Sequence, residues 1–331
     1  MAGPTSPLIV AAGDARSRVE DAMLAAVRTS DDHLTELASH LITAGGKRLR
    51  PVLAMVSGAV GGGDVASVGD DVVSGGVACE LVHLGSLYHD DVMDEAATRR
   101  GVETVNARWG NLQAILAGDF LLARASEIAA SLGTEVAGLL ARTIGWLCEG
   151  QIEELRHTYD VDRPRDSYLR SIHGKTASLY GTSARVGALV AGHSAPTVDA
   201  LTAWGDAYGM LFQIVDDVLD LTSTDAELGK PAGHDMEEGV YTLPVLCTLN
   251  AGGDRADRLR DLLGGPLDDG ARSEALELVR GGDGVADAVA VAEEYVVRAE
   301  GLCADLPAGP ATDALAAAPA ALLASIRPSA V

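Results

Sequence analysis

The sequence predicts an all-α protein built as one large domain, and three features of the chain predict it. Apolar residues recur at three- and four-residue spacing in nearly every segment after Gly13, strand-like alternation is hard to find, and the punctuation between periodic segments is short. Residues 1–13 read as a flexible tail, and 14–331 as the helical domain. Breaks are expected at Gly61-Gly62-Gly63-Asp64, at Asp160 to Arg165, near Ser194-Ala195-Pro196 and at Gly264-Gly265-Pro266, none long enough for an interdomain linker. The segment from Asp71 to Met93 is apolar on most faces, with Val72, Val77, Leu81, Val82 and Leu84 all round it, which predicts a central buried helix tipped with carboxylates. The segment from Ala200 to Leu221 repeats that design.

Composition narrows the function. A chain of 331 residues that is 47% hydrophobic can bury a large core, and with 4% aromatics that core must be packed from small aliphatic side chains. The net charge of −23 argues against a nucleic-acid partner, so any phosphate site must be local. Cys79, Cys148, Cys247 and Cys303 lie far apart and form no CxxC pair, so neither a zinc site nor a disulfide framework is indicated and buried thiols are expected. No apolar stretch reaches the ~20 residues that span a bilayer, and no leader is evident. A cytoplasmic protein without stable membrane insertion is expected.

Adjacent aspartate pairs occur five times, yet only Asp90-Asp91-Val92-Met93-Asp94 and Asp216-Asp217-Val218-Leu219-Asp220 continue as Asp-Asp-x-x-Asp within apolar helical sequence. On a helix, Asp90 and Asp94 are one turn apart, about 6 Å at their roots, as are Asp216 and Asp220. Carboxylates so placed share hard cations that keep some waters and accept phosphate oxygens, the habit of magnesium. One acidic cluster in so acidic a chain is as well explained by solvation; two matching clusters on apolar helices are not. A calcium site of the EF-hand type is disfavoured because the required glycine and loop spacing are absent.

The chain holds only 25 Lys and Arg, so their grouping is informative. Gly45-Gly46-Lys47-Arg48-Leu49-Arg50-Pro51 places three cations behind a glycine pair, and Arg99-Arg100-Gly101 follows the first aspartate motif. Arg offers a planar fork and Lys a mobile point charge, a mixture suited to a diphosphate. Lys47, Arg50 and Arg100 are candidates for that role, whereas Arg48 reads as a surface charge. His83 lies two helical turns before Asp90 on the same face. Lys175 and Lys230 stand at glycine breaks, in Gly174-Lys175-Thr176 and Gly229-Lys230-Pro231.

These motifs resemble those of the trans-isoprenyl diphosphate synthases, the polyprenyl synthetase family, from roughly Leu34 to the C-terminus. Gly46 to Pro51 is similar to the family's isopentenyl-binding signature, His89 to Asp94 with Arg99-Arg100-Gly101 to its first aspartate-rich motif, and Phe212 to Asp220 to its second. The resemblance implies that Lys47, Arg50, His83 and Arg100 hold isopentenyl diphosphate, and that Arg99, Lys175, Thr176, Gln213 and Lys230 hold the allylic diphosphate. It implies Mg2+ on Asp90, Asp94 and Asp216, with Asp91, Asp217 and Asp220 completing or orienting that shell. It further implies a homodimer of helical bundles of the isoprenoid synthase type, each with a central substrate cavity. One departure is Val240, after Asp235-Met236-Glu237-Glu238-Gly239, where the family commonly has Lys.

The implied reaction is ionisation of the allylic diphosphate, attack by the isopentenyl double bond and loss of a proton, in a site that excludes water. The growing tail would run along the helix before Asp90, where one turn of about 5.4 Å matches one isoprene unit. Gly85 and Ser86 there are small, which predicts a hexaprenyl to nonaprenyl product for quinone side chains, grown from farnesyl or geranylgeranyl diphosphate. A geranylgeranyl diphosphate synthase and a class I terpene cyclase or lyase are the enzyme alternatives; the cyclase would not need Lys47, Arg50 and Arg100. A non-catalytic regulatory subunit should have lost acids from one motif, and none is lost.

Overall fold

The computed structural model describes residues 6–224 and 232–326. Its helices are α1 (Pro7–Ala12), α2 (Arg16–Ala26), α3 (Asp32–Thr43), α4 (Leu49–Gly58), α5 (Asp70–Met93), α6 (Val105–Trp109), α7 (Asn111–Ser131), α8 (Thr134–Leu155) and α9 (Arg165–Ile172). They continue with α10 (Ser178–Val190), α11 (Ala195–Thr222), α12 (His234–Glu237), α13 (Leu243–Asn250), α14 (Gly253–Leu262), α15 (Asp269–Arg280), α16 (Gly284–Cys303) and α17 (Pro310–Leu323).

Helix α5 is the axis, buried on every face and packed against α2, α4, α7 and α10. It begins within one residue of the expected position. Helix α11 starts five residues earlier than expected, because the Ser194 hydroxyl accepts from the Thr197 amide and Pro196 is pre-set for a first turn. Helix α10 touches both α5 and α11 and so spaces the two acid-tipped helices. One apolar cluster surrounds α4, α5, α7 and α10; a second gathers the C-terminal half of α11 with α13, α15 and α16, and Tyr295 and Leu322 pack against both. Two of the remaining aspartate pairs are helix caps: Asp31 accepts from the His33 and Leu34 amides, and Asp268 from that of Ala271.

The structure departs from the sequence reading in several places. The start is not loose through Gly13, since residues 7–12 form a helix that buries Leu8 and Ala12 against α4 and α17. Gly174 is not a break: residues His173–Ala177 form a π turn that joins α9 to α10 without interruption. Cys148 is exposed and Cys247 only half-buried, while Cys79 and Cys303 are buried as expected. A short antiparallel hairpin, β1 (Thr98–Arg99) with β2 (Val102–Glu103), interrupts the helices. Among the described residues, no helix is long and apolar enough to cross a membrane.

Candidate active site

The first aspartate motif sits at the C-terminal end of α5 and its three acids diverge in environment. Asp90 is half-buried, Asp94 caps the helix in the open, and Asp91 turns inward at 1% exposure. Burial pushes the Asp90 carboxyl up to about 6, against the pull of Lys175 and with Asp94 adding to the rise. Asp94, although exposed on its outer side, is raised too, mainly because the groups around the helix end withdraw part of its carboxyl from water, against the pull of Lys175 and Arg99. Asp91 accepts from Arg99 Nε at 2.5 Å, and its backbone carbonyl is capped by Asn106 Nδ2 at 3.0 Å, so the helix end is anchored from the hairpin side.

That hairpin separates two adjacent arginines. Arg100 and Gly101 both adopt positive φ, 54° and 79°, the turn that matches strand twist. Arg99 therefore reaches Asp91, while Arg100 donates to the carbonyls of Gly45 and, at 3.1 Å, Leu41. The two were expected to serve different diphosphates, and the turn sends them to different sides.

Lys175 stands in the π turn, a local geometry often found at functional sites. Its Nζ donates to Glu154 Oε1 on α8 at 2.7 Å. Burial works to lower its pKa, and the combined pull of Glu154, Asp90 and Asp94 outweighs this, so the ammonium is held charged beside the first motif. Close approach of α8 makes the contact possible. A Cβ on Gly150 would lie 2.5 Å from the Lys175 amide nitrogen, and one on Gly174 would lie 2.7 Å from the Trp146 carbonyl.

From the next residue a buried relay crosses to the second motif. Thr176 Oγ1 donates to Gln213 Oε1 at 2.8 Å, Gln213 Nε2 donates to Asp217 Oδ1 at 2.8 Å, and Tyr168 Oη donates to Asp217 Oδ2 at 2.5 Å. Each oxygen of Asp217 thus accepts one hydrogen bond from a protein group, and the two together fix the orientation of the carboxyl. Asp216, one residue earlier, is exposed, and Asp220 is buried. Beneath the relay Arg163, 2% exposed, donates to Ser171 Oγ at 2.6 Å and lies 5.6 Å over the Tyr168 ring.

The expected isopentenyl residues come from three elements: Lys47 and Arg50 from the turn into α4 and its start, His83 from α5, and Arg100 from the hairpin turn. The Arg50 guanidinium lies 4.8 Å over the Tyr180 ring, and its buried Nε has no hydrogen-bond partner among the described residues. His83 is held well below its usual imidazole value by burial and by Arg50, Arg100, Arg99 and Arg48, and so stands neutral among cations. Lys47 is exposed, whereas Arg48 is not the surface charge expected but is 2% exposed. Lys230 lies outside the described residues.

Both implied ligands fit what is present. The acids at the end of α5 are hard oxygen donors made costly by burial, and Asp91 Oδ2 is buried without a partner among the described residues, which suits a hard divalent cation. Among the described residues no three such groups are already drawn together as a cation site. The unpartnered Arg50 Nε suits an anion. A cleft of about 1000 Å³ opens elsewhere, lined by Trp146, His173, Asp206 and Tyr295, and none of the expected site residues lines it. Sequence reasoning missed Glu154, Tyr168 and Arg163. Glu154 belongs to the acidic run Glu153-Glu154 at the end of α8, but nothing in the sequence pairs it with Lys175.

A family model described as polyprenyl synthetase matches residues 31–279. The nonaprenyl diphosphate synthase of Mycobacterium tuberculosis is 43% identical over 302 residues, covering 91% of this chain and 89% of that protein. A heptaprenyl diphosphate synthase from Staphylococcus aureus superposes with a TM-score of 0.89 at 32% identity, covering 95% of this chain and 98% of that one. A polyprenyl synthase from Caulobacter crescentus, solved with calcium and isoprenyl diphosphate, has a TM-score of 0.89 at 31% identity over 99% of both chains.

Proposed function

The chain belongs to the polyprenyl synthetase family, and from that premise we propose that it is a magnesium-dependent prenyltransferase joining isopentenyl diphosphate to an allylic diphosphate. The observation that carries this reading is the presence of two unlike groups of residues, one at the C-terminal end of α5 with the π turn and the other at the turn into α4. On one side are carboxylates with Lys175 held charged beside them; on the other is a basic group whose Arg50 Nε waits for an acceptor. Two diphosphates need two such sites, and a terpene cyclase needs one.

A magnesium ion bound by Asp90, Asp94 and Asp216 would supply positive charge to a departing diphosphate. Lys175, Arg99, Thr176, Gln213 and Lys230 bind and orient the allylic diphosphate, while Asp91, Asp217 and Asp220 support the acidic faces. Lys47, Arg50, Arg100 and neutral His83 hold the isopentenyl diphosphate. Val240 leaves the allylic group without one cation that the family commonly supplies there.

The product is a trans-polyprenyl diphosphate in the hexaprenyl to nonaprenyl range for quinone side chains, started from farnesyl or geranylgeranyl diphosphate. The nonaprenyl and heptaprenyl relatives support that length. Gly85 supports it less than expected, because a Cβ there would lie 3.0 Å from the Gly118 carbonyl and 3.2 Å from Leu122, so that side of the residue serves the α5–α7 contact. The protein acts in the cytoplasm as a homodimer: Leu112, Ile115 and Leu116 are 79%, 40% and 65% exposed on one face of α7, an apolar surface that a second copy would cover.

Incubation with magnesium, labelled isopentenyl diphosphate and geranyl, farnesyl or geranylgeranyl diphosphate tests the reading. A ladder ending beyond geranylgeranyl is expected, with Asp90→Asn lowering turnover by roughly 10²–10³. A product ending at geranylgeranyl would replace the length assignment. Allylic consumption without isopentenyl label would replace transfer by cyclisation or hydrolysis.

A further inference from the structure

Arg48 is a buried cation in a left-handed backbone conformation, φ 52°, which non-glycine residues rarely adopt. Its guanidinium is bracketed by two carboxylates from different helices. Nε and Nη2 donate to the two oxygens of Glu20 on α2 at 2.7 and 3.2 Å, and Nη1 donates to Glu80 Oε1 on α5 at 3.2 Å. Nη2 also donates to the Ile42 carbonyl at the end of α3, at 2.7 Å. One side chain thereby ties α2, α3 and α5 to the turn that opens α4.

Glu80 is the unusual member. It is 2% exposed in mid-helix, and its Oε2 is buried with no hydrogen-bond partner among the described residues. A half-satisfied buried acid is a poor source of stability, so its placement calls for another reason. It lies three residues before His83 on α5, and its charge acts on Arg48, Arg100 and Tyr180. Arg100 and Arg48 crowd the same point from two elements: a Cβ on Gly46 would lie 3.0 Å from Arg100 Nη1 and 3.2 Å from Arg48 Nη1. Two guanidiniums so placed repel unless an anion lies close to both.

We propose that Glu80, with Glu20, is a positioning element of the isopentenyl diphosphate site, holding Arg48 and Arg100 together so that the strained turn presents Lys47 and Arg50 to the diphosphate. The proposal rests on the prenyl-transfer reading and adds to it two acids that never touch substrate. Neutralising either acid loosens the turn on the isopentenyl side and leaves the acidic faces of α5 and α11 untouched.

The test is steady-state kinetics on full-length Glu80→Gln, Glu80→Asp and Glu20→Gln, varying each substrate in turn, with melting temperature and calorimetric titration of isopentenyl diphosphate in the absence of metal. Glu80→Gln is expected to raise the isopentenyl KM, and to weaken its metal-free binding, by about tenfold, with the allylic KM unchanged and partial recovery in Glu80→Asp. A folded Glu80→Gln protein with an unchanged isopentenyl KM, or with both KM values raised together, overturns the proposal. If Glu80→Gln does not fold, Glu20→Gln decides by the same split, since Glu20 reaches Arg48 from a position 36% exposed. Failure of the wild-type protein to incorporate isopentenyl label would instead overturn the transferase reading, and is seen before any variant is made.

Discussion

Tyr168 and Asp217 meet across 2.5 Å in the interior, joining the helix before the π turn to the second aspartate motif. Burial holds the Asp217 carboxyl well above its usual range, with Asp235 adding to the rise and the Tyr168 and Gln213 hydrogen bonds drawing it back. Tyr168→Phe removes one of the two hydrogen-bond partners of a buried carboxyl group while keeping the ring. A loss of about 1–3 kcal/mol in urea unfolding is expected. An unchanged midpoint would show that the contact carries no weight.

Arg50 lies over the Tyr180 ring, and its buried Nε has no hydrogen-bond partner among the described residues. Lysine retains the charge there but loses the planar fork and the stacking. Arg50→Lys should raise the isopentenyl KM by about tenfold or more, since hydrogen bonds to charged groups contribute about 1.5–3 kcal/mol. The allylic KM should hold steady; equal changes in both would place Arg50 outside the isopentenyl site.

Ser86 is half-buried on the turn of α5 before Asp90, with its hydroxyl donating to the His83 carbonyl at 2.9 Å. A tail growing along α5 gains one isoprene for about each 5.4 Å turn. Ser86→Phe should therefore shorten the longest product seen by reversed-phase chromatography. The same ladder from the variant and the wild type would mean that the tail takes another course.

The exposed apolar face of α7 makes a separate prediction about assembly. Leu116→Glu puts a charge into a surface expected to be covered by a second copy. Size-exclusion chromatography with light scattering should show a monomer, with the helical content retained. A wild-type protein that is already monomeric would contradict the assignment of this face.

Asp206 carries the clearest pH dependence away from the aspartate motifs. Its carboxyl is pushed up to about 6 by burial, against the pull of Arg298 and from an unfolded value of 3.8. The folded protein therefore holds a proton that the unfolded chain releases, and stability falls as pH rises from about 4 to about 6. Asp206→Asn should stabilise by about 1–2 kcal/mol at pH 7.5 and by nearly nothing at pH 4. A gain of equal size at both values would trace the effect to packing and not to charge.

The helices and the two aspartate motifs at their ends were legible because each rests on local spacing. Apolar periodicity marked α5 to within one residue, and the four-residue interval in each Asp-Asp-x-x-Asp separated the two pairs on α5 and α11 from the caps at Asp31 and Asp268. The start of α11 was less legible, since Ser194 and Pro196 were read as a break when they are the cap and first turn of the helix itself. The π turn was invisible for a related reason: Gly174 signals a break locally, and only the closeness of α8 at Gly150 shows that it permits contact.

By itself the sequence determined the all-α class and the two acid-tipped helices, because these depend on residue type and on intervals within one helix. Tertiary structure alone decided the partners: Lys175 with Glu154, Tyr168 with Asp217, and Arg48 buried between Glu20 and Glu80. Those residues lie 21, 49, 28 and 32 positions apart. Whether a charge faces water or another charge depends on how helices cross, and no local spacing encodes that.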